Sequence, residues 1–97
     1  MDNIDIDSLI KKISQMKINI IDIRNSKDYY SNKIPTAINV EEQELITNPQ
    51  RYLDKTKTYY IYCNSGKSSK RVVYYLNNLG YHTVNINGGF NNYLLRK

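Results

Sequence analysis

The feature that most constrains the fold is the run INIIDI, Ile18 to Ile23, a nearly continuous β-branched stretch of strand length. Runs of this kind are buried on both faces of a parallel sheet, where neither side of the strand meets water. Two further strand-length runs follow, TYYIYC from Thr58 to Cys63 and HTVNI from His82 to Ile86. Helical patterns separate them, and strands alternating with helices define an α/β class: a central, mostly parallel sheet with helices on both faces.

The helical segments can be placed from their spacing. Leu9, Ile10, Ile13 and Met16 fall on one face of a helix that Asp7 is expected to cap. A short helix is expected from Ser26 or Lys27 through Tyr30, then a brief strand in TAINV after Pro35 and another short helix from Glu41 to Ile46. Asn48 to Lys57 reads as a turn, a half-turn of helix and a polar loop. The best-defined helix runs from Lys67 to Leu79, with Val72, Val73, Tyr75, Leu76 and Leu79 apolar and Gly80 as its left-handed stop. Gly88 and Gly89 turn the chain into a closing helix, Phe90 to Leu95. At 97 residues, with no repeat or linker, the whole chain 1–97 is expected to form one domain around one core.

Composition narrows the setting. No apolar stretch is long enough to span a membrane, and the acidic start, Asp2 to Asp5, lacks the pattern of a secretory signal, so the expected location is the cytoplasm. The single cysteine cannot form an internal disulfide, which agrees with a reducing compartment. The net charge of +5 is spread along the chain without a basic run, so no nucleic-acid or membrane partner is expected. Such a charge does raise the local concentration of small anions.

That cysteine, Cys63, ends a strand and precedes the loop NSGKSS. In open parallel sheets ligands bind beyond the carboxyl ends of the strands, where loops lead into helix amino termini. Gly66 permits the positive φ that folds backbone N–H groups into an anion-holding nest, and the helix beginning near Lys67 adds unpaired donors and a positive dipole end. All of these favour a sulfur anion over a neutral thiol, so Cys63 is expected to be a nucleophile. The alternative, a small buried apolar filler, fits the position less well. Asp22 is expected to orient the loop by accepting its N–H bonds and Arg24 to pair with Asp28. His82, before the amino end of a strand, should lie at the edge of the sheet opposite the thiol. Most of the tyrosines among residues 59–81 are expected in core or rim with hydroxyls reaching water.

Three blocks of the chain together resemble a known family. DIRNSKDYYSNKIPTAINV, Asp22 to Val40, is similar to an early signature of Asp-x-Arg followed by Ile-Pro-x-Ala-x-Asn; YCNSGKSS resembles an active-site loop; LGYHTVNINGGFNNY resembles a closing signature ending in Gly-Gly-Phe. In this order and spacing they resemble the single-domain rhodaneses, which are sulfurtransferases. The resemblance implies a rhodanese-like fold and a double displacement: Cys63 takes the outer sulfur of a donor such as thiosulfate as a persulfide, then passes it to a thiophilic acceptor, cyanide or a thiol. It implies no metal and no cofactor. Asn64, Ser65, Gly66, Lys67, Ser68 and Ser69 would bind substrate, their N–H groups ringing the persulfide, with Lys67 drawing in the anionic donor and the hydroxyls of Ser68 and Ser69 adding donors. The chain departs from the family pattern at Ser68, where an arginine is common, at Thr36, where glycine follows the proline, at Asn32 and Lys33 in place of Gly-His, and at Tyr93 in place of tryptophan.

Two other functions fit the same residues. A persulfide carrier or partner-binding module would keep Cys63 without small-molecule turnover, serving a protein sulfur donor or acceptor. A phosphatase of the related branch is disfavoured, because that loop is one residue longer and places arginine six positions after the cysteine, where this chain has Ser69.

Overall fold

The computed structural model describes residues 2–96; Met1 and Lys97, which the sequence reading includes in its domain, lie outside the described residues. The elements in chain order are β1 (Asn3–Ile4), α1 (Ile6–Gln15), β2 (Asn19–Asp22), α2 (Ser26–Ser31), β3 (Ile38–Asn39), α3 (Glu42–Thr47), a 3-10 turn (Pro49–Arg51), β4 (Thr58–Tyr62), α4 (Lys67–Asn78), β5 (His82–Ile86) and α5 (Gly89–Leu95). The strands form one five-stranded sheet in the order β1-β5-β4-β2-β3, and every pairing is parallel.

Two apolar layers cover the sheet. Ile21, Ile61 and Cys63 face a layer that contains Leu45 of α3 and Val72, Val73 and Leu76 of α4. Ile20, Tyr62 and Ile86 point the other way, toward Leu9 of α1, Phe90 of α5 and Ile34. Residues 59 to 63 alternate between the layers, as a strand buried on both faces requires. Cys63 therefore points to the α4 side of the sheet.

Topology sets the place of the site. From β2 the chain passes through α2 to β3 on one side, whereas from β4 it passes through α4 to β5 on the other. The carboxyl ends of adjacent β2 and β4 thus feed loops that diverge, and the crevice between such loops is where open parallel sheets bind ligands.

Several local details differ from the sequence reading. Asp5, not Asp7, caps α1: its carboxylate accepts the Ser8 N–H at 2.8 Å, and Asp7 lies within the first turn. β1 was not expected; its two residues gain their pairing only from β5, which lies about eighty residues along the chain. α4 ends as its Gly80 predicts, with Tyr81 N–H bonded to Leu76 O at 3.1 Å. Among the described residues no helix is long and apolar enough to cross a membrane.

Candidate active site

Cys63 follows the last residue of β4, and the chain turns from it into α4 within three residues. The turn is possible because Gly66 takes φ of +93°, a conformation strained for any residue with a Cβ, and because its Cα lies close to Gly88, whose backbone N a Cβ there would meet at 3.0 Å. The result aims two amides at one sulfur. Gly66 N–H donates to Cys63 Sγ at 3.2 Å and Ser69 N–H donates at 3.3 Å. Ser69 belongs to the first turn of α4, so its amide is one of the donors that has no helical acceptor and carries the positive end of the dipole. Cys63 is 7% exposed, so little water competes with these two amides for the sulfur.

Ser69 also touches the sulfur through its hydroxyl, and here the direction of bonding differs from expectation. The Cys63 S–H donates toward Ser69 Oγ at 3.4 Å, while the Ser69 hydroxyl donates to Asn85 Oδ1 at 2.6 Å. Asn85 Nδ2 in turn donates to Asn3 Oδ1 at 3.1 Å. Ser69 and Asn85 are both buried, so a polar chain runs under the loop from the edge strand to the thiol.

The loop is held from outside by two elements. The first turn of α5 lies against it: Phe90 N–H donates to Cys63 O and Asn91 N–H to Asn64 O, each at 2.9 Å. Gly89 makes this approach possible, since a Cβ there would sit 2.3 Å from Cys63 O. On the other side of the crevice Arg24 is buried and spans three groups. It forms an ion pair with Asp22 at 2.7 Å, donates to Asn32 O at 2.6 Å, and reaches Asn64 Oδ1 at 3.5 Å. Its guanidinium carbon lies 4.1 Å from the centre of the Phe90 ring. Burial works against the charge on Arg24, but the hydrogen bond and attraction of Asp22 outweigh it and raise the group above its ordinary value.

Comparison with known proteins converges on one family. Residues 5–96 match the Rhodanese-like domain. The chain belongs to the rhodanese-like family. It is 36% identical over 70 residues to the Bacillus subtilis (strain 168) protein named "Putative sulfurtransferase YtwF", an alignment covering 72% of this chain and 67% of that one. The crystal structure of SSP1007 from Staphylococcus saprophyticus superposes with a TM-score of 0.87 at 33% identity, covering 94% of this chain and 91% of that one. A Rhodanese-like domain protein from Staphylococcus aureus gives 0.84 at 32% identity, covering 93% and 88%.

Within this rhodanese-like domain the six loop residues divide by role. Gly66 and Ser69 bring their amides to the sulfur. Lys67 is exposed at the mouth of the loop, with its N–H toward Ser65 Oγ at 3.4 Å. Ser68 Oγ accepts from the Arg71 guanidinium at 3.3 Å and does not reach the sulfur, while Asn64 serves as the anchor for Arg24 and Asn91. The expected pairing of Arg24 with Asp28 is replaced by the Asp22 pair, because two residues along an extended turn bring the carboxylate under the guanidinium while Asp28 is drawn into α2. Asp22 does not accept N–H bonds of the Cys63 loop; its carboxylate is taken up by the amide and side chain of Arg24. His82 begins β5 on the exposed far edge, as expected. Tyr62 departs from the tyrosine expectation: it is fully buried and its hydroxyl accepts the Ile34 N–H at 3.0 Å.

Sequence reasoning missed the Asn85 link and the α5 clamp. The signal for the first was present, an asparagine two residues after Thr83 on the same face of the HTVNI strand. The second was carried by the Gly-Gly-Phe ending, whose spacing was noted without its contact.

Proposed function

We propose that the protein is a sulfurtransferase in which Cys63 carries a sulfane sulfur between a donor and a thiophilic acceptor. The observation that supports it most is the pair of backbone amides converging on Cys63 Sγ at 3.2 and 3.3 Å in the switch-point crevice of a rhodanese-like fold. A thiolate there attacks the outer sulfur of thiosulfate. The new S–S bond forms as the old one breaks, and sulfite leaves with the bonding pair. The product, Cys63–S–S⁻, places its negative charge one bond further out, among the N–H groups from Asn64 to Ser69. Fixed amide dipoles hold the charge before and after transfer with little reorganisation. Cyanide or a thiol then attacks the terminal sulfur, and the electron pair of the S–S bond returns to Cys63.

Lys67, at the loop mouth, supplies the positive charge nearest the incoming donor. With a hydroxyl at Ser68 in place of the arginine common in the family, the site lacks a bidentate grip on an oxyanion and favours donors held chiefly through sulfur. Purified protein given thiosulfate and then cyanide should release thiocyanate, and the Cys63→Ala variant should release none. Thiocyanate production surviving in that variant would exclude the mechanism.

A further inference from the structure

The solvent face of α4 carries charge that the fold does not need. Lys67, Lys70, Arg71 and Tyr74 recur at helical spacing and share one exposed stripe, while Ser69, Val72, Val73 and Leu76 turn inward. The four line a shallow depression of about 610 Å³. Two physical terms oppose this arrangement. Three cations in the first turn and a half of a helix face the positive end of its dipole, and like charges three and four residues apart repel. No carboxylate relieves them: among the described residues the ion pairs involve Arg24, Arg51 and Arg96 alone. The imbalance extends along the chain, since all nine Asp and Glu precede residue 55, and residues 55–97 contain seven Lys and Arg.

A small anionic donor does not account for the stripe. From Lys67 to Tyr74 the helix rises about 10 Å, so although Arg71 folds back onto Ser68 Oγ at 3.3 Å, an ion the size of thiosulfate at Cys63 cannot span the stripe as far as Lys70 and Tyr74. Tyr74, 67% exposed, adds an amphipathic ring of the kind enriched at protein interfaces, beside an arginine of the same kind. An occupant that satisfies all four is extended, negatively charged at several points, and long enough to place one end over the loop.

We infer that this stripe docks an acidic segment of a protein partner, whose thiol or persulfide meets Cys63 at the amino end of α4. The inference rests on the sulfur-transfer reading above and gives the partner's class. In such a transfer the partner's thiolate attacks the terminal sulfur of the Cys63 persulfide, takes that sulfur as its own persulfide, and leaves the Cys63 thiolate.

The test uses protein loaded with sulfur from thiosulfate and two acceptors of equal length, a cysteine-tipped oligoglutamate peptide and a cysteine-tipped oligoserine peptide. At low ionic strength the acidic peptide should discharge the persulfide roughly tenfold faster, with the advantage fading as salt screens it. The double variant Lys70→Glu/Tyr74→Ala, which leaves the Arg71 contact to Ser68 in place, should lose most of that preference while its transfer to the neutral peptide and to cyanide stays within about twofold. Acids near a helix amino terminus favour the helix, so the variant is expected to fold. Equal rates for the two peptides with the wild-type protein would overturn the docking proposal. So would an oligothymidylate binding more tightly than oligoglutamate of equal charge, which would assign the stripe to nucleic acid. Absence of transfer to cyanide and to both peptides would instead remove the sulfur-transfer reading on which the proposal depends.

Discussion

Ser69 has one hydroxyl proton and one short acceptor for it, Asn85 Oδ1 at 2.6 Å; the alternative, Gly66 O, lies at 3.3 Å. The proton is therefore turned away from Cys63, and the sulfur depends on the two amides. Because both side chains are buried, removing one leaves the other short of a partner. Asn85→Val should cost about 1–3 kcal/mol, whereas combining it with Ser69→Ala removes both polar groups and should recover much of that loss. Urea denaturation of the two single variants and the double variant measures the coupling; strictly additive costs would contradict a shared network. At this scale the sequence was informative wherever one residue type has one physical use. Cys63 at a strand end and Gly66 in a tight loop were legible for that reason. For Ser69 the expected amide contact to the sulfur is present, but the expected hydroxyl donation is not, because the register sets Asn85 Oδ1 beneath α4 to take that proton. Arg24 was assigned a partner by chain proximity, but the turn after β2 brings Asp22 closer than Asp28.

The elements were legible where hydrophobic period and length agreed. β4, α4 and β5 lie within a residue or so of their expected bounds, because each has a strong pattern and a clear stop. β1 has neither: two residues cannot show a period, and the strand exists because Asn3 and Ile4 pair with Asn85 and Ile86. The turn before β3 is an instance of local chemistry yielding to the fold. Thr36 takes φ of +72°, the left-handed region where a β-branched side chain is strained, at the position where the family carries glycine. Relief of that strain, about 1–2 kcal/mol, exceeds the added freedom glycine gives the unfolded chain, about 0.4–1 kcal/mol. Thr36→Gly should therefore stabilise the protein by up to about 1 kcal/mol, seen as a higher melting temperature. A lower melting temperature would show that the threonine is held there by contacts stronger than the strain.

For the whole molecule, pH-dependent stability is set at both ends by groups other than the thiol. The Ser8 amide lowers Asp5, the Tyr52 hydroxyl lowers Glu44 and the Thr56 amide lowers Asp54, from ordinary values of 3.8, 4.5 and 3.8. A depressed carboxyl stabilises the native state above its unfolded value and loses that contribution as pH falls through its native one. Burial first, and then the Asp22 carboxylate, push the Tyr62 phenol far above its ordinary 10.0, so unfolding releases a proton there once the solution is more alkaline than that value. The melting temperature should be level near neutrality, fall below about pH 4.5 and fall again above about pH 10; a flat profile through either limit would contradict these assignments. Across this scale the parallel sheet was legible because continuous β-branched strands leave few alternatives. The order of its strands was not, and that order sets the Cys63 loop beside the end of β2. The central claim is the proposal that Cys63 in this crevice carries the transferred sulfur. Intact-mass spectrometry after incubation with thiosulfate tests it most directly. The wild-type protein should gain the mass of one sulfur atom, lost again on treatment with a thiol reductant, and Cys63→Ala should gain none. A wild-type mass unchanged by thiosulfate and by an inorganic polysulfide, or an equal gain in Cys63→Ala, would contradict the account.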